Sequence, residues 1–172
     1  MPSTSAVVAV AFINSLGVNT HIDFYQYGYQ NLSVVENALK YLGVKNVRDS
    51  AQWNADLQTW PAVAAAAGVK FDDYMPEGSP AVMQKALQLV GPLANAGIWN
   101  FVEGGNEEDD PYAVSQGNSL VYTASFQQQV YQTGTTLGIP VINMSFGAGW
   151  TAANNWHGDY DKVGDLSAYA NY

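Results

Sequence analysis

The stretch AGIWNFVEGGNEEDD at residues 96–110 carries the pattern from which the fold can be read. Gly97 suits the left-handed position just past a helix, where any side chain would be strained, and β-branched Ile98 suits the start of a strand. An apolar run follows, and carboxylates and an amide come directly after it. The same helix-Gly-Val/Ile junction recurs at Leu16-Gly17-Val18, Leu42-Gly43-Val44, Ala67-Gly68-Val69 and Leu137-Gly138-Ile139. Successive glycines are 26, 25, 29 and 41 residues apart, near the ~31 per unit of eight βα units in ~250 residues.

The junctions place strands at 18–24, 44–49, 69–74, 98–103 and 139–146, and helices at 32–42, 55–67, 80–96 and 119–137. Within the first of these helices Leu32, Val35, Leu39 and Leu42 recur at helical spacing, with Asn31 or Ser33 available as a cap. Residues 5–13 (SAVVAVAFI) read as a helix or strand of the folded body, because no basic segment precedes them as in an export signal. Helices alternating with short strands predict an α/β fold with a parallel sheet. An open doubly wound sheet would usually carry a Gly-rich phosphate loop after its first strand. Tyr25-Gln26-Tyr27-Gly28-Tyr29 matches neither a dinucleotide nor a Walker pattern. The expectation is therefore one domain over 1–172, an incomplete TIM-type (β/α) barrel with about five of eight units.

Polar residues collect at the strand ends farthest from the glycines: His21 and Asp23, Arg48 and Asp49, Asp72 and Asp73, Glu103 to Asp110, then Asn143 and Ser145. In a barrel these ends meet at the C-terminal face, where active sites are built.

Composition narrows the partners. Six Lys plus Arg against 15 Asp plus Glu give a formal charge of -9, a poor match for nucleic acid or an anionic membrane surface. No apolar run approaches the ~20 residues of a membrane-spanning helix. The absence of cysteine excludes disulfides, thiolate metal sites and a Cys nucleophile. No Gly-x-Ser-x-Gly elbow supports an esterase. The acidic run lacks the spacing of an EF-hand, so neither a metal nor a cofactor is expected.

Asn106-Glu107 ending the fourth strand, with THIDF at 20–24, VRDS at 47–50 and the five βα units, resembles the clan A glycoside hydrolases. The resemblance covers roughly residues 12–172. It implies an O-glycosyl hydrolase, retaining in its full-length form, that cleaves a polysaccharide or glycoside. Glu107 would be the general acid/base, Asn106 would hydrogen-bond the sugar 2-hydroxyl, and Arg48 would orient the nucleophilic carboxylate. Glu108 stands where the clan often has Pro. The clan's nucleophile ends the seventh strand, so the chain reads as the N-terminal part of a longer hydrolase or a truncated relative, without the expected nucleophile.

The resemblance makes His21 and Asp23 substrate-subsite residues, and Asp49 joins them as a further substrate-binding candidate. His21 alone could equally be a core histidine, and Arg48-Asp49 a structural ion pair. Trp53, Trp150 and Trp156 follow strand ends and suit stacking on sugar faces; Trp60 and Trp99 belong to the core, and His157 to an exposed loop. The alternative function is a non-catalytic carbohydrate-binding protein of the same fold. Open edges on the first and fifth strands predict self-association. Acidic charge and lack of cysteine are compatible with export, and a secreted or extracellular location is favoured.

Overall fold

The computed structural model describes residues 9–147 and 163–172. The elements are α1 (Ala9–Ser15), β1 (Gly17–Asn19), α2 (Leu32–Leu42), β2 (Asn46–Asp49), α3 (Asp56–Ala67), β3 (Lys70–Met75), α4 (Pro80–Ala94), β4 (Trp99–Gly105), α5 (Pro111–Ser115), α6 (Leu120–Leu137) and β5 (Val141–Ile142). All pairings are parallel and the strand order is β1-β2-β3-β4-β5. The chain thus steps one strand at a time in one direction, without the reversal of a doubly wound sheet. Right-handed crossovers in one direction put the connecting helices on one face, and α2 packs on α3, α3 on α4, and α4 on α6. The result is an open α/β sheet consistent with an incomplete TIM-type βα arrangement.

Four of the five junction glycines do what their position requires. Gly43, Gly68, Gly97 and Gly138 have φ of 68°, 68°, 66° and 70°, the left-handed conformation that closes a helix. Gly17 differs: it opens β1 with no positive φ, and a Cβ there would meet the Asn46 carbonyl oxygen at 3.2 Å. Its glycine serves close approach of β1 to β2.

The core lies between sheet and helices. Val47, Phe71 and Val102 from the strands pack with Leu39, Trp60, Val63, Met83, Val90, Phe126 and Val130 from the helices. Trp60 stacks on Phe71 at 4.3 Å and meets Trp99 edge-on at 5.6 Å, so both tryptophans expected in the core are there.

Two strands are shorter than the sequence suggests. β1 stops at Asn19, because Thr20 donates its hydroxyl to Asp49 at 2.5 Å and Phe24 N–H bonds back to His21 O at 2.8 Å, which turns the chain. β5 spans only Val141–Ile142. Its outer edge is occupied in part: Val141 N–H donates to Asn171 Oδ1 at 2.8 Å, and Asn171 N–H donates to Val141 O at 2.7 Å. The fifth edge is therefore not bare. Residues 164–172 hold only a 3-10 turn at Ser167–Tyr169. Leu166 there packs with Met144 and Phe146 beside α6.

Candidate functional site

Alternation along the strands sorts the polar residues onto two faces. In β2, Val47 and Asp49 are buried toward the helices, while Asn46 and Arg48 lie on the concave, barrel-side face. In β3, Phe71, Asp73 and Met75 are buried, and Asp72 and Tyr74 share the face of Arg48. β4 carries bulges opposite Phe71/Asp72 and Tyr74/Met75, which set Glu103 beside Tyr74.

On the concave face Arg48 is the hub. Its Nε donates to Glu103 Oε1 at 2.8 Å and its Nη2 to Glu103 Oε2 at 2.5 Å, a two-pronged pair. The same Nη2 donates to Asn106 Oδ1 at 3.0 Å, and the guanidinium sits 4.3 Å from the Tyr74 ring centroid. Arg48 therefore pairs with Glu103, not with its neighbour Asp49. Burial opposes the Arg48 charge, but the Glu103 bond and charge outweigh that and hold it more firmly protonated than usual. Asp72 is pushed up to about 8, first by burial and then by its bond to Glu103 and that residue's charge, against the pull of Arg48. Asp72 thus keeps its proton at neutral pH while Glu103 answers Arg48.

Strand β4 runs on into the candidate acid. Asn106 N–H donates to Met75 O at 3.0 Å, and Glu107 N–H donates to Ser145 O at 3.0 Å, so both exits beside β4 are latched to it. Ser145 Oγ lies 3.3 Å from Asn106 Oδ1. Glu107 has φ of 54°, the one positive φ at a non-glycine among the described residues. It is exposed, and its side chain lies over Gly147, where a Cβ would come within 2.6 Å of Glu107 Cγ and Cδ. Adjacent Glu108 turns the other way. It is fully buried, accepts from Asn118 Nδ2, and is raised to about 8 by burial, against that bond and one from the Gly78 backbone.

A cleft of about 340 Å³ opens at the C-terminal ends of the strands, walled by His21, Phe24, Gln52, Tyr74, Pro76, Glu77, Asn106 and Tyr112. Glu77 is raised to about 7, first by burial, then by the charge and hydrogen bond of Asp110 and the charge of Glu107. Glu107 itself is exposed and is not among the residues that wall the cleft, although its charge contributes to raising Glu77. A second groove of about 400 Å³ continues from it, sharing Gln52, Glu77 and Tyr112 and adding Trp53 and Lys85. Half-exposed Trp53 lies under the Lys85 ammonium, 4.5 Å from its ring centroid.

Of the sequence-derived candidates, Arg48 and Asn106 are hydrogen-bonded together, His21 and Asn106 wall the cleft, and Trp53 lines the adjoining groove. Asp23 and Asp49 lie beneath the cleft and not in its wall. Asp23 accepts from Gln52 Nε2 at 2.8 Å and is raised to about 7 by burial, then by the charges of Asp49 and Asp56, against its own backbone bond. Asp49 accepts from the Thr20 hydroxyl, from Ile22 N–H at 2.8 Å and from Ser50 N–H at 2.8 Å. Burial raises it; those three bonds and the His21 charge pull the other way. Trp150, Trp156 and His157 lie outside the described residues.

Glu77, Tyr74, Gln52, Phe24 and Tyr112 went unmarked in the sequence. Glu77 was within reach of the rule applied to β4, since it follows the end of β3 in Met75-Pro76-Glu77. Tyr74 falls two residues after Asp72, on the face already marked. Tyr112 had no such signal, because it comes from the short helix α5 that Asp110 caps through a 2.7 Å bond to Tyr112 N–H.

No protein-family model matches this chain, and no curated protein matches it.

Proposed function

We propose that this chain carries the acid/base half of an O-glycosyl hydrolase site of clan A type, acting on a polysaccharide or glycoside with retention in the complete enzyme. The observation that supports it best is the conformation of Glu107. A glutamate held at φ of 54° immediately after the fourth parallel strand, beside an asparagine fixed by Arg48, has the kind of backbone strain that gathers at working sites. In this proposal Glu107 gives a proton to the glycosidic oxygen and later takes one from water. Asn106 meets the 2-hydroxyl through its amide NH2, since its Oδ1 already accepts from Arg48. Trp53 and Tyr112 offer flat apolar surfaces to the C–H faces of neighbouring sugars. The second carboxyl of a retaining pair, ~5–5.5 Å from the first, is assigned to no residue of this chain.

The test pairs binding with turnover. A panel of α- and β-linked oligosaccharides is titrated into wild type, Glu107→Gln and Asn106→Ala, with product release followed by chromatography. The proposal expects Glu107→Gln to bind within a few-fold of wild type while turnover falls by roughly 10²–10⁴. Asn106→Ala should lose turnover as well. Equal turnover in wild type and Glu107→Gln, or no glycan bound by any form, overturns it; a wild type that binds without turnover, matched by Glu107→Gln, is the result of a carbohydrate-binding protein.

A further inference from the structure

Beneath the cleft, where β1 and β2 end side by side, three metal-ligating side chains converge. One ligand atom from each of His21, Asp23 and Asp49 lies within 4.8 Å of the other two. Two of the three residues also carry a buried polar atom that finds no hydrogen-bond partner among the described residues, His21 Nδ1 and Asp23 Oδ1. Asp23 is only 5% exposed. A buried imidazole nitrogen and a buried carboxylate oxygen left unmatched beside a second carboxylate form an arrangement that water-exposed acids do not, because each unmatched group bears its full desolvation cost.

We propose that His21, Asp23 and Asp49 form a binding site for a divalent transition-metal cation, with Zn2+ the best fit. The inference does not depend on the glycosidase proposal, since none of the three is needed there as an acid or base. The donor set decides the class of ion. One imidazole with two carboxylates suits Zn2+ and, next, Mn2+, whereas Ca2+ and Mg2+ take oxygen ligands throughout. Tetrahedral ligands at about 2.1 Å from a common ion lie about 3.4 Å apart, so ligand atoms within 4.8 Å of one another close on a cation by approaching one another by up to about 1.4 Å. Three protein ligands leave a further position for water or a sugar hydroxyl, the pattern of an open site.

The surroundings are already arranged to hold these ligands. The His21 ring stacks on Phe24 at 4.8 Å and 14°. Gln52 fixes Asp23, and the Thr20 hydroxyl with the Ile22 and Ser50 N–H groups fixes Asp49. Partners of this kind orient metal ligands and sustain affinity. His21 is at the same time a wall of the cleft, so an ion here would lie between the cleft and the buried carboxylates.

Isothermal titration of chelator-treated, dialysed protein with ZnCl2 tests the site, with MgCl2 as the control. The expected result is saturable one-to-one Zn2+ binding, no comparable response to Mg2+, and a rise in Tm with Zn2+. His21→Ala and Asp23→Asn should each weaken Zn2+ by more than the roughly 10–100-fold that losing an outer-shell partner costs, with circular dichroism confirming that they fold. Histidine ring NMR signals of the wild type keep the proposal testable if a variant does not fold: the chain has two histidines, and Zn2+ should move the His21 signals. No saturable Zn2+ binding, variants that bind like wild type, or a response confined to His157 would each overturn it.

Discussion

The two faces of β2 and β3 use the same residue types for opposite purposes. On the helix side, Asp49 and Asp73 are fully buried and accept backbone N–H groups from the loops that follow β1 and β2, Asp73 taking that of Ala51 at 3.0 Å. On the concave side, one residue away, Arg48, Asp72 and Tyr74 meet Glu103 and Asn106 in a network that borders open space. A shift of one position along a strand therefore separates a residue that fixes loop geometry from one on the side that borders the cleft. Charge alone does not distinguish them; the number of backbone donors each carboxylate satisfies does.

The sharpest break in that comparison is Asp49→Ala. It strands the Thr20 hydroxyl and two backbone N–H groups in a buried place and should cost roughly 3 kcal/mol or more, read as a fall in urea midpoint. Next comes the pH dependence. Glu108 at about 8, Asp72 at about 8 and Glu77 at about 7 all stand above the ordinary carboxyl range. In the folded state they keep protons that the unfolded chain releases near pH 4–4.5, so stability falls as pH rises between those values and the folded ones. Thermal melts should show a higher Tm at pH 5 than at pH 9. Glu108→Gln should flatten that profile, gaining about 1–3 kcal/mol at pH 9 and much less at pH 5. An unchanged profile would mean that the buried carboxyl is not what titrates.

On the concave face the effects on stability are smaller. Arg48→Met removes a pair that remains partly open to solvent, with side-chain exposures of 29% and 11%, and should cost about 1 kcal/mol while releasing Asn106 and reducing turnover. A loss as large as that of Asp49→Ala would erase the contrast between the faces. Trp53→Ala should cost about 0.5–1 kcal/mol at most, through its contact with Lys85, yet weaken oligosaccharide binding several-fold by titration.

The helices were legible because their ends are marked chemically: α2 and the C-terminal ends of α3 and α6 fall where the glycine junctions put them. The strands were legible in place but not in length. The polar segments after Asn19 and Ile142 leave the sheet in hydrogen bonds to side chains and to other loops, Thr20 to Asp49 and Met144 N–H to Asn143 Oδ1 at 2.9 Å, which a pattern of apolar residues does not reveal. The rank of Asn106-Glu107 after the fourth strand was readable from spacing. That Glu107 takes a left-handed backbone and lies over Gly147 was not, because that geometry depends on Ser145, 38 residues away. Nor was the cover over the β5 edge, since Asn171 meets Val141 across 30 residues of chain.

General acid catalysis by Glu107 makes a demand that binding alone does not, and leaving-group dependence measures it directly. Wild type and Glu107→Gln are compared on two aryl glycosides of the same sugar, one releasing dinitrophenol and one an unactivated phenol. If Glu107 protonates the departing oxygen, the substitution should cost roughly 10²–10⁴ in rate on the poor leaving group and far less on dinitrophenol, which departs without a proton. The same loss on both substrates, or none on either, would contradict the account.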